Sequence, residues 1–103
     1  MADFKNNKIS DVSPITARGS MTYVYLDNNN ISDISSFSNM NSLFYLSLAN
    51  NKITSIEPLR NITDFRTLNI SNNQISDISV LNNRTGITSL VASNNKLGGN
   101  TIN

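Results

Sequence analysis

"SLANNKITSIEPL", residues 47 to 59, sets two asparagines, Asn50 and Asn51, in a run whose other landmarks are the aliphatics Leu48, Ile53, Ile56 and Leu59. A buried amide costs free energy unless its hydrogen bonds are met. What those amides bond to decides how the chain folds.

The stretch is one copy of a repeat. "MTYVYLDNNNISDISSF" from Met21, "LFYLSLANNKITSIEPL" from Leu43, "FRTLNISNNQISDISVL" from Phe65 and "ITSLVASNNKL" from Ile87 align at an offset of 22 residues, which also reaches back into "ADFKNNKISDVSPI" from Ala2. Self-similarity at a fixed period of this size signals a solenoid. The register makes apolar columns: Phe4, Leu26, Leu48, Ile70, Ala92; Ile9, Ile31, Ile53, Ile75, Leu97; Val12, Ile34, Ile56, Ile78; and Ile15, Phe37, Leu59, Leu81. With the columns headed by Ala2, Met21 and Met40, they take in 29 of the 39 hydrophobic residues. That share marks them as the core.

Composition narrows the function. The 103 residues suffice for one domain. A net charge of +1 with 15% charged residues gives no electrostatic footprint for nucleic acid or an anionic membrane. The chain has no Cys and no His, so thiolate, disulfide and imidazole chemistry are out of reach. No apolar run reaches the roughly 20 residues of a membrane helix, so no membrane insertion is expected. The start, "MADFKNNKIS", lacks the apolar segment of a signal peptide.

Asn7, Asn29, Asn51, Asn73 and Asn95 form one unbroken column. That is where the pattern L-x-x-L-x-L-x-x-N-x-I/L places its asparagine, and the chain here resembles the leucine-rich repeat family. The 22-residue period, "ISDIS" after the asparagine, and Pro58-Leu59 and Pro14-Ile15 further on resemble the bacterial internalins and the eukaryotic type-1 phosphatase regulatory subunit. The resemblance covers roughly residues 2 to 97. It implies an α/β-type solenoid of about 4.5 coils, with a five-strand parallel sheet on the concave face and 3₁₀ or extended chain on the convex side. Each inward amide is expected to satisfy backbone groups of its own coil and the next. The first asparagine of each pair, Asn6, Asn28, Asn50, Asn72 and Asn94, is expected to face solvent.

The columns leave ten hydrophobic residues unabsorbed, among them Ala49, Val80, Val91 and four aromatics, Tyr23, Tyr25, Phe44 and Tyr45. Tyr23 and Tyr45 share a register position, and Tyr25 lies two residues on, on the same face. Phe44 precedes its strand and is left between the face and the rim. Two readings stand: an aromatic anchor for a partner, or residues that simply suit strands and pair across them. Asp3, Lys5, Asp27, Ser47, Asn69, Ser71, Val91 and Ser93 are expected to point outward on this face, with Arg66 at its rim. The candidate partner-binding residues are therefore Tyr23, Tyr25, Phe44, Tyr45, Asp27, Arg66 and Asn69, and the expected ligand is a protein.

No enzyme activity and no cofactor are expected. Asp3 and Asp27 invite an acid/base or metal reading, but they sit at different depths with no third ligand. Asp64 and Glu57 fall on the convex path. Asp11, Asp33 and Asp77 form either a cation-binding ladder or a series of turn caps, and Ser55 interrupts their column. Sequons at Asn30, Asn61, Asn69 and Asn83 number what this Asn, Ser and Thr content gives by chance.

Two alternatives to a partner-binding module remain: a structural or self-associating segment of a surface or secreted protein, and ice or crystal binding through the exposed asparagines. Residues 1–103 are expected to form a single domain, either complete or part of a longer array. The uncapped first coil, with Phe4, Ile9, Val12 and Ile15, invites self-association, and Arg18 and Arg84 make the outer coils more polar. A surface or secreted location follows if the chain is a fragment of an internalin-like protein, and a cytoplasmic one if Met1 is the true start.

Overall fold

A computed structural model describes residues 2–16, 21–40, 43–60, 62, 65–82 and 86–96. Arg18, Asn61, Asp64, Asn83, Arg84 and Leu97 lie outside the described residues. The chain winds into a stack of coils. Each contributes one short strand: β1 Ala2–Asp3, β2 Tyr23–Tyr25, β3 Tyr45–Ser47, β4 Thr67–Asn69 and β5 Ser89–Val91. The five strands form one parallel sheet in sequence order. Partners differ by 22 residues throughout, as in Val24 opposite Leu46 and Leu46 opposite Leu68. The repeat read in the sequence is thus the pairing register itself.

Alternation along each strand sets the faces. Val24, Leu46 and Leu68 point inward and are fully buried. Leu26, Leu48 and Ile70 follow them into the core, and Ile31, Ile53, Ile75 and Ile34, Ile56, Ile78 line the return path. Phe37, fully buried, is the bulkiest side chain of its column. Two residues outside the repeat columns, Ala49 and Val80, are buried as well. In the first coil Phe4, Ile9 and Ile15 pack against the core only in part.

The convex side carries 3₁₀ turns at Ser35–Asn39, Glu57–Leu59 and Ser79–Leu81. The first coil differs from expectation in having one α-helical turn, Ser13–Thr16. The Thr16 N–H reaches back to the Val12 carbonyl at 3.0 Å. Asp11, Asp33 and Asp77 cap these turns by accepting the N–H of the serine two residues on, at 2.9, 2.8 and 2.8 Å. Ser55 takes the same role with its hydroxyl toward the Glu57 N–H. The capping reading therefore accounts for the column, including its one interruption. The same backbone N–H bonds, then the serine hydroxyls, hold these carboxyls below the ordinary aspartate value.

The paired asparagines divide the labour. Asn51 is buried, and its Nδ2 donates to the carbonyls of Leu26, Leu48 and Ala49 at 3.0, 3.0 and 3.2 Å. Its Oδ1 accepts the Ile31 N–H of the preceding coil at 3.0 Å. Asn29 and Asn73 repeat the arrangement one coil away on either side. Asn95 repeats it while only partly buried. Asn7 is exposed, and its amide reaches only Phe4 and Lys5 of its own coil.

The other asparagine of each pair has a backbone role that its sequence position alone does not announce. Asn6, Asn28, Asn50, Asn72 and Asn94 all hold φ between 57° and 62°. Asparagine tolerates this left-handed region better than other residues with a side chain. Before the kink, the Asn50 N–H points to the next coil, at the Ser71 carbonyl. After it, the Lys52 N–H points to the preceding coil, at the Ile31 carbonyl. Asn50→Gly is therefore expected to change stability by less than about 0.5 kcal/mol. Asn50→Val, equally free of packing at this exposed site, is expected to cost about 1–2 kcal/mol. Urea unfolding midpoints check this, and equal midpoints for the two variants would refute the backbone role.

Candidate binding surface on the sheet face

The outward positions of the strands bring the four unabsorbed aromatics together. Tyr23 and Tyr45 are register partners on β2 and β3. Their rings stack at 6.0 Å between centroids, and Tyr25 meets Tyr45 at 5.0 Å. Tyr23 is 39% exposed, and the other three are half-buried.

Phe44 would face away from Tyr45 if strict alternation held. It does not, because the Phe44 and Tyr45 N–H groups both bond to the Thr22 carbonyl, at 3.0 and 3.1 Å. Two residues opposite one is how a bulge re-aims a side chain. Phe44 thereby meets Tyr23, at 6.2 Å. The pattern recurs one coil on, where the N–H groups of Arg66 and Thr67 share the Phe44 carbonyl. Arg66 consequently lies beside Phe44, its guanidinium carbon 5.5 Å from the ring centroid. At the other end, Lys5 Nζ sits 5.6 Å from the centre of the Tyr25 ring. The result is an unbroken series: Lys5, Tyr25, Tyr45, Tyr23, Phe44, Arg66. Cation–π contacts of this kind favour the charged group over the ring face.

Packing against its neighbours, and after that the Tyr45 and Tyr23 hydroxyls and the Asp3 carboxylate, hold the Tyr25 phenol above its ordinary value of 10.0. Tyr25 is therefore a neutral hydroxyl near pH 7.

Asp27 and Asn69, the other candidate site residues on the sheet, each make contacts within it. Asp27 turns toward the sheet, and its Oδ1 accepts from the Ser47 hydroxyl at 2.6 Å and the Ala49 N–H at 2.9 Å. Asn69 Oδ1 accepts the Ser71 hydroxyl and N–H at 2.8 and 3.1 Å. Both acceptors thus hold the ends of the strands. Ser47 and Ser71, expected to point freely outward, are buried beneath these contacts. Asp3 is engaged by Lys5, at 3.8 Å between Nζ and Oδ2. Asp3 and Asp27 thus have separate partners, Lys5 for the one and Ser47 and Ala49 for the other. Among the described residues there is no cluster of three His, Cys, Asp or Glu suited to a metal, and no helix long and apolar enough to cross a membrane. Val91 is exposed but sits on β5, two strands beyond the tyrosines.

Comparison with known proteins agrees with this architecture. A model of paired leucine-rich repeats matches residues 41–83, and a second leucine-rich repeat model matches residues 19–59. The chain is a leucine-rich repeat protein, and it resembles the internalins. A crystal structure of the internalin inlF from Listeria monocytogenes is 38% identical over 90% of this chain and 27% of that one, with a TM-score of 0.87. Internalin C2 from the same species is 29% identical over 98% of this chain and 46% of that one, with a TM-score of 0.89. A leucine-rich repeat protein of Leptospira interrogans shares the fold at 18% identity, with 94% and 26% coverage and a TM-score of 0.78. The chain thus spans between about a quarter and a half of the length of these proteins. No curated protein matches it. Leucine-rich repeat proteins generally mediate protein–protein interaction, and their repeat domains are typically not enzymes.

Proposed function

We propose that the chain is one leucine-rich repeat domain that binds a partner protein through its concave face, with Tyr23, Tyr25, Tyr45 and Phe44 as anchors and Arg66 at their edge. The observation that carries this reading is the continuous series of ring contacts, 5.0 to 6.2 Å apart, on a parallel sheet. Strand pairing alone explains Tyr23 opposite Tyr45. The shared-carbonyl geometry recurs in the next coils, where it carries Arg66 and Thr88, and Phe44 is the ring that the sequence sets at this position, beside the tyrosines. Large rings with few rotatable bonds on a fixed backbone lose little entropy on binding, which is why such residues dominate interface energetics. Asp27 and Asn69 support the surface from within rather than contacting the partner with the oxygens already engaged.

The test is a double variant, Tyr23→Ser with Tyr45→Ser. Binders are first selected from a displayed library of protein fragments against the unmodified chain. Affinity for them is expected to fall by about 30-fold or more, the scale of losing a hot spot worth about 2 kcal/mol. Thermal stability is expected to change by less than about 1 kcal/mol, because neither ring lies in the core. Binding retained while stability collapses would assign the rings to strand pairing instead.

A further inference from the structure

The charges around the aromatic series are not balanced, and the imbalance has a direction. Lys5 at one end is already engaged by Asp3. The Asp27 carboxylate is turned inward to Ser47 and Ala49. Arg66 at the other end is exposed, lies over Phe44, and has no carboxylate within ion-pairing distance among the described residues. Its guanidinium lies against a ring and remains exposed to solvent. This geometry suits a carboxylate, which arginine takes with two parallel hydrogen bonds.

The series also crosses the sheet obliquely. It starts after β1, at Lys5, and ends before β4, at Arg66. Three strand spacings and five residues along the strand give a diagonal of about 22 Å at ordinary sheet dimensions. An aromatic strip with an open cation at one end reads a ligand with polarity: apolar along its length, anionic at one side.

Resting on the concave-face reading above, we infer that the partner presents a polypeptide segment whose aromatic or aliphatic side chains lie along Tyr25, Tyr45, Tyr23 and Phe44 and whose Asp or Glu pairs with Arg66. Arg66 then sets the direction in which the segment lies. The exposed Tyr23 and the half-buried Tyr25 and Tyr45 supply hydroxyls for its polar edges, and the Lys5 end, paired with Asp3, adds little net attraction. The acidic residue is therefore required at one end of the segment and not at the other.

Panning a displayed library of random dodecapeptides against the chain tests this. The expected selection is enriched in peptides with Asp or Glu to one side of an aromatic or aliphatic pair. A synthetic peptide of that consensus is expected to bind Arg66→Glu at least about tenfold more weakly. Replacing its acidic residue with Lys is expected to restore binding to that variant, which a merely structural role for Arg66 would not produce. Circular dichroism confirms that the variant is folded. Enriched peptides without an acidic preference, or an acid-to-Lys exchange that fails to rescue Arg66→Glu, would overturn the inference. If those peptides still lose affinity for the Tyr23→Ser, Tyr45→Ser variant, the concave-face reading stands without it. If every enriched peptide binds that variant as well as the unmodified chain, both fall.

Discussion

Asn51→Leu is expected to lower the stability of the chain by about 3–5 kcal/mol, although leucine keeps the branched skeleton of the asparagine side chain and the site is only 7% exposed. The cost is uneven across its partners. The Leu26, Leu48 and Ala49 carbonyls each keep a second donor: Asn29 Nδ2, Asn73 Nδ2 and the Asn28 N–H respectively. They lose a bond without becoming orphans, at about 0.5–1 kcal/mol each. The buried Ile31 N–H has Asn51 Oδ1 as its acceptor and loses it outright, at about 1–3 kcal/mol. Gains from the added apolar surface offset only part of this. For a chain of this size the melting temperature should fall by at least about 12 °C. Asn7→Leu is the control. Its amide is exposed and serves only its own coil, so its loss should be within about 1 kcal/mol. Differential scanning calorimetry of both variants decides the matter. A melting temperature for Asn51→Leu within a few degrees of the unmodified chain would mean that the inward amides do not pin the coils.

Phe37→Ala should be comparably damaging, at about 3–5 kcal/mol. Phe37 is fully buried at the 3₁₀ turn Ser35–Asn39, in a column filled elsewhere by Ile15, Leu59 and Leu81. Deleting the ring opens a cavity between neighbouring coils that a short turn cannot close. Phe37→Leu restores the size used by Leu59 and Leu81 and should cost much less, about 1 kcal/mol. In a solenoid each coil contacts only its neighbours, so the loss should be local. Hydrogen exchange should accelerate first at Ile15, Phe37 and Met40, whose N–H groups bond within these turns, while Leu68 and Ile70 keep their protection. Uniform acceleration through all coils would show a core that responds as one unit.

The fold was legible because one sequence period sets everything that repeats. The 22-residue offset determines strand pairing, inward aliphatics and the buried asparagines together. The aromatic cluster was legible by exclusion, since Tyr23, Tyr25, Phe44 and Tyr45 have no place in the core columns. What stayed hidden depends on geometry within a coil. Alternation assigns a face but not a depth, so Ser47 and Ser71 read as outward without any sign that Asp27 and Asn69 close over them. It also fails where two N–H groups share one carbonyl, which is why the aim of Phe44 could not be settled from its position. The left-handed conformation of Asn50 and its equivalents had a trace in the sequence, a second asparagine in every coil. That trace reads equally well as surface decoration.

The scaffold and the surface it carries obey different rules of inheritance. Because every junction uses the same amide joint, gene duplication or loss of a whole 22-residue unit gives a chain that still stacks. The aromatic series is not built that way. Tyr45 touches both Tyr23 and Tyr25, and Phe44 touches Tyr23 and Arg66, so its members belong to no single unit. Copy-number drift beyond β4 leaves the series whole, whereas drift between β2 and β4 splits it. Descendants of this chain can therefore vary freely in length at one end and only by rebuilding their ligand preference in the middle.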